Sequence, residues 1–170
     1  MTVIIIPGIH PPELTQKFLQ GIKAPENWLI FPTEEYFAYS AIDVLNFLDK
    51  YAKKISPSVL FISFSAGVVG AIGAAIQLTG SKVKAFIAVD GWGVPLIGNF
   101  PIHRLSHDHF THWSTFSGAD SFYAEPGVEH RYLWSNPQTT VGWWVKSPGL
   151  KINCTAAEFF RSLLSKYEEM

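Results

Sequence analysis

A short apolar run ending in serines and small residues constrains this chain most: Ser58-Val59-Leu60-Phe61-Ile62-Ser63-Phe64-Ser65-Ala66-Gly67-Val68-Val69-Gly70. Its order predicts a buried strand, a very tight turn, and a helix that begins beneath the strand's end. A serine on such a turn is lifted out of the sheet, with free backbone N–H groups beside it. The turn demands small residues two before and two after the serine, because strand and helix backbones nearly touch there. Ser63 and Gly67 meet that demand around Ser65. The plainer reading is that Ser63 and Ser65 only end a strand and cap a helix.

Residues 1–90 alternate strand-like and helix-like segments. The run Thr2 to Ile6 is solidly apolar and β-branched, as a central strand covered on both faces would be. Pro11 and Pro12 open a helix to about Gly21, and 28–31 reads as a short strand stopped by Pro32. A helix fits 38–55, with Ala41, Leu45, Leu48 and Ala52 as its apolar stripe and Ser40 as its cap, followed by Asp43 at the third position. Strands at 59–63 and 83–89 flank a nearly all-apolar helix at 66–78, and the second of them ends at Asp90-Gly91. Beyond Asp90 the pattern degrades. A long loop covers 91–101, and 103–117 shows no clear period. A short strand fits 121–124, a helix is expected from Pro137 through Val141 and Trp144, and a capped helix follows over 155–167, with Thr155 and Glu158 at its start. These elements predict a three-layer α/β/α sandwich with a mostly parallel sheet of five or six strands, as a single domain over residues 1–170.

Composition narrows the partners. The chain has 170 residues, 48% hydrophobic against 16% charged, enough to bury a substantial core. Formal net charge is −1 with no basic stripe, which argues against nucleic acid. A single cysteine, Cys154, excludes an intrachain disulfide and carries no metal-binding spacing. No apolar stretch approaches the roughly 20 residues needed to span a bilayer, and no signal sequence is seen, so a cytoplasmic location is expected. The six tryptophans suit an aromatic cleft or a homodimer contact.

A nucleophilic serine requires a base held by an acid. Among six histidines, His130 follows the last short strand and precedes Pro137, which suits it to reach back toward Ser65; His10 is the runner-up. Asp90 ends a buried strand and is the favoured acid, with Asp120 as the alternative. The backbone N–H groups of Ala66 and of Ile9, in the loop beside His10, are placed for an oxyanion hole. Trp92, Phe100, Trp113 and Phe116 lie in the later loops and suit the wall of an apolar acyl site.

Together, the turn at Ser65, the loop after the first strand and the segment Val128-Glu129-His130-Arg131-Tyr132-Leu133-Trp134-Ser135-Asn136-Pro137-Gln138 resemble a small member of the α/β-hydrolase superfamily. That resemblance implies a cofactor-free serine esterase or thioesterase acting on a small ester or acyl substrate. Ser65 would attack with its proton passing to His130, and water would then release the acyl-enzyme. Two other readings compete. One is a catalytically inactive relative that serves as a binding or scaffold protein. The other is a metal-binding protein that uses His107, His109 and His112 from the histidine-rich stretch His103 to His112, since imidazole clusters suit zinc and similar ions.

Overall fold

The computed structural model describes residues 1–80, 82–114, 119–147 and 149–169. The first half holds β1 (Thr2–Ile6), α1 (Pro12–Ile22), β2 (Leu29–Ile30), α2 (Ala41–Lys50), β3 (Ser58–Phe64), α3 (Ala66–Gln77) and β4 (Lys82–Val89). The second holds β5 (Ile102–Ser106), α4 (His109–Ser114), β6 (Ser121–Ala124), α5 (His130–Ser135), β7 (Val141–Ser147), β8 (Leu150–Thr155) and α6 (Ala156–Glu168). The architecture is the expected three-layer α/β type with a mixed, mostly parallel sheet. The strand count is not the expected one: eight strands are hydrogen-bonded in the order β2-β1-β3-β4-β5-β6-β7-β8, where five or six were predicted. Two compact units are distinguished, Met1–Ile9 with Glu26–Ile102, and His10–Pro25 with His103–Met170.

In the first unit β1 pairs in parallel with β2 and β3, and β3 in parallel with β4. The β-branched runs seen in the sequence become strands buried on both faces. Ile4, Ile6, Val59, Phe61, Phe86 and Ala88 share a core with Val44, Phe47 and Leu48 of α2 and with Val68, Ala71, Ile72 and Ala75 of α3. The intervening Ile5, Leu60, Ile62 and Ile87 are fully buried too. The α2 helix starts as its sequence dictates, with Ser40 Oγ accepting the Asp43 N–H at 3.2 Å. It ends at Lys50, short of the expected Ile55, and a single 3-10 turn covers Ala52–Lys54.

In the second unit β5 and β6 are parallel, while β6, β7 and β8 run antiparallel. The helix expected over residues 137–144 is instead the strand β7. Val141-Gly142-Trp143-Trp144-Val145 is β-branched and aromatic, and it pairs Trp144 with Phe122 and Trp143 with Tyr123 on β6. Cross-strand aromatic pairing outweighed the helix start that Pro137 suggested. β7 turns into β8 through Gly149, whose φ of 89° suits a residue without a Cβ. One part of this unit's core is an aromatic stack: the Phe18 ring of α1 is centred 3.7 Å from that of Trp134 of α5 and nearly parallel to it, with the Phe160 ring of α6 edge-on to Phe18 at 5.1 Å. Trp134 Nε1–H donates to Thr15 Oγ1 at 3.3 Å, so the indole is packed and polar-satisfied at once.

His103 locks β5 to α6. Its ring is fully buried, with Nδ1 donating to the Asp120 carbonyl at 3.0 Å and Nε2 accepting from the Tyr167 hydroxyl at 2.7 Å. Only the neutral imidazole satisfies both partners in those roles, and burial pushes its pKa below the ordinary 6.5. The unfolded chain therefore takes up this proton at a higher pH than the native one. The contribution of His103 to stability is complete above about pH 6.5 and is lost as pH falls toward the lowered native value. We expect the urea midpoint to drop between pH 7.5 and pH 5.5, with a shallower pH slope in His103→Gln. The α6 start makes a second prediction. Thr155 Oγ1 accepts the Glu158 N–H at 3.2 Å and Glu158 Oε2 accepts the Thr155 N–H at 2.7 Å, a reciprocal capping box. Thr155→Ala is expected to cost about 1 kcal/mol in chemical denaturation followed by circular dichroism.

Candidate metal centre

The tight turn predicted at the end of β3 is present. Ser65 has φ 53° and ψ −124°, conformations that a non-glycine residue adopts at a cost, and its N–H donates to the Val89 carbonyl at 2.9 Å. α3 starts immediately after it at Ala66. A Cβ on Gly67 would strike the backbone oxygens of Ile6 and Pro7, so no larger residue fits there. Ser63 is fully buried, and its hydroxyl finds no hydrogen-bond partner among the described residues. Ile9 is exposed. His10 donates Nδ1–H to the Pro11 carbonyl at 2.9 Å, and burial pushes its pKa down.

Asp90 closes β4 and turns the chain at φ 49°, a left-handed conformation that aspartate tolerates better than most residues. It is only 6% exposed. His107 follows β5 directly, and His130 is the first residue of α5. The Val128 N–H donates to the His107 carbonyl at 2.9 Å, which ties the loop before α5 to the end of β5. The two imidazoles consequently lie 5.9 Å apart at 80° to one another, an edge-to-face arrangement. Asp108 backs His107, with Oδ2 3.5 Å from His107 Nε2, and it is itself anchored by the Thr111 N–H on Oδ1 at 2.7 Å. Desolvation raises the Asp108 carboxyl, but the Thr111 hydrogen bonds and the adjacent His107 and His109 more than offset it and leave the pKa below the usual value.

One ligand atom from each of Asp90, His107 and His130 lies within 4.8 Å of the others. This convergence overturns the serine-hydrolase reading. A Ser-His-Asp triad needs one imidazole between one acid and the serine. Here a second imidazole, His107, joins the expected base and the expected acid, and the set of donors is one that could hold a metal ion. The expectation of a Ser65–His130–Asp90 acyl-transfer enzyme, and with it the small ester or acyl substrate, is corrected accordingly. The metal alternative named His107, His109 and His112. His107 belongs to the group, whereas His109 and His112 lie face to face at 6.5 Å and both rest against the Tyr123 ring. Among the described residues, the group placed to hold an ion takes Asp90 and His130 in their stead.

Asp120 offers its carbonyl to His103 and its carboxylate to Lys166 of α6 at 4.0 Å. Trp92 and Trp113 are 67% and 65% exposed. Phe100 packs in the first unit's core, stacked on Phe86 at 6.3 Å. Phe116 lies outside the described residues. His107 was named in the sequence only among the histidines of the metal alternative, without Asp90 and His130 beside it. The signal was the strand Ile102–Ser106, which sets His107 at a strand's carboxyl end, as β4 does for Asp90.

No helix among the described residues is long and apolar enough to cross a membrane. No family model matches the chain, and no curated protein matches it. The three-layer architecture is consistent with a generic α/β-hydrolase-like fold.

Proposed function

We propose that this protein binds a divalent transition metal, zinc foremost, through Asp90, His107 and His130. The observation that carries the reading is the convergence of their ligand atoms within 4.8 Å. Two neutral imidazoles and one carboxylate suit zinc and its neighbours better than calcium or magnesium, which prefer all-oxygen shells. Ligand atoms around tetrahedral zinc stand roughly 3.3 Å apart, given bonds of about 2.0–2.1 Å, so the three side chains would draw in on binding. Asp108 supports the reading from behind. A carboxylate against one ring nitrogen of His107 fixes the ring's orientation and makes the other nitrogen a better donor.

Three protein ligands leave a fourth tetrahedral position for water or an exogenous ligand, in contrast to the closed four-residue shell of a purely structural zinc site. The centre is thus of the open kind. The fold supplies two of its donors from the ends of β4 and β5, where an α/β sheet ordinarily presents its working groups.

Chelator-treated protein titrated with zinc chloride should take up one equivalent. Asp90→Asn, His107→Ala and His130→Ala should each weaken binding by roughly 100-fold or more, since even partners behind a ligand are worth about 10–100-fold. Zinc at about 100 times its Kd should stabilise the wild-type fold by about 2.7 kcal/mol and the variants far less. Magnesium and calcium should do neither. The absence of a stoichiometric zinc equivalent, or equal affinity in all three variants, would sink this reading.

A further inference from the structure

A second cluster of polar groups occupies one face of β5–β8. The strand register sets Arg104 of β5 beside Ser121 of β6, Ser121 opposite Val145 of β7, and Val145 opposite Lys151 of β8. Alternation along β6 puts Tyr123 on the same face as Ser121. The short helix α4 follows β5 and contributes His109 and His112 here. His112 Nε2 is 2.9 Å from Ser121 Oγ, and its ring lies 4.8 Å from that of Tyr123. Lys151 Nζ donates to the Tyr123 hydroxyl at 2.9 Å and sits 5.3 Å from the ring's centre.

This cluster has an excess of donors. Arg104 is 9% exposed, and its Nε–H is buried without a hydrogen-bond partner among the described residues. Burial alone shifts its pKa, downward, with no carboxylate acting to restore it. A guanidinium that has left water normally meets a counter-charge. Nearby, burial holds His112 below its ordinary pKa, and His109, Lys151 and Arg104 each lower it further. An imidazole, a phenol and an ammonium are thus linked on this face, and the strand register and the electrostatic effect on His112 bring a buried guanidinium near them.

We propose that Arg104, His112, Tyr123 and Lys151 form an anion site for a tetrahedral phosphate-type oxyanion. Arg104 supplies the buried planar donors that match phosphate oxygens, and exposed Lys151, held against Tyr123, supplies a charge at the rim. The chemistry admits free phosphate or the phosphoryl group of a monoester, and an experiment separates the two. The site does not depend on the metal reading.

The probe is inorganic phosphate, titrated calorimetrically into chelator-treated protein at low ionic strength, so that no bound metal contributes. Phenyl phosphate is titrated in parallel. Saturable one-to-one binding is expected, weakened at least tenfold in Arg104→Gln and in Lys151→Gln. Preference for phenyl phosphate would assign the site to an esterified phosphoryl group, and preference for inorganic phosphate to the free ion. Lys151 is on the surface, so its variant keeps the test decisive even if Arg104→Gln does not fold. The proposal is overturned if neither probe saturates, or if Lys151→Gln binds phosphate as tightly as the unaltered protein.

Discussion

The approach of α3 to the end of β1 sets the geometry on which the first unit depends. Gly67, in the first turn of α3, lies against the backbone oxygens of Ile6 and Pro7, where any Cβ would collide. That contact forces the chain to reverse within one residue, and Ser65 absorbs the reversal at φ 53°. The helix can then lie along β3 and β1 with Val68, Ala71 and Ala75 in the core. Parallel strands held in register by this packing end together, from Ile6 paired with Ser63 to Phe64 paired with Val89. Asp90 comes next in the chain, fixed at the margin of a rigid sheet and nine-tenths buried.

A buried carboxylate in such a place needs compensation, and the kind of compensation separates the two chemistries considered. One imidazole orients toward a carboxylate as a hydrogen-bond donor and remains available to move a proton. Two imidazoles meeting the same carboxylate offer three lone-pair donors within 4.8 Å of one another, a set that could hold a cation. A strained serine turn is therefore insufficient evidence of acyl chemistry. The strain at Ser65 has a sufficient cause in the close packing of Gly67.

Legibility in the sequence followed the strength of local periodicity. β1, β3 and β4 were plain because both faces of each are buried, which produces unbroken β-branched runs. α6 was plain because its cap and apolar stripe agree. β5 was obscured: Ile102-His103-Arg104-Leu105-Ser106 contains a histidine and an arginine that are both buried, so polarity no longer tracks exposure. With β5 unseen, His107 was grouped with His109 and His112, its neighbours in sequence, and not with Asp90 and His130. β7 and β8 were missed for a different reason. Their pairing partners are each other and β6, and the cross-strand pairing of Trp143 and Trp144 outweighed the helix start suggested by Pro137.

The two outer strands of the sheet are unlike in length but alike in effect. β2 contributes only Leu29 and Ile30 before Pro32 removes a backbone donor, and so offers little template for another chain. β8 is longer and exposes Leu150 and Ile152, a sequence that by itself would invite a neighbouring strand. Lys151 stands between those two apolar residues, held against Tyr123. A second molecule adding to this edge would have to pack around that ammonium and its hydration. The lysine thereby helps keep the sheet finite, and substituting it would weaken colloidal stability before it altered the fold.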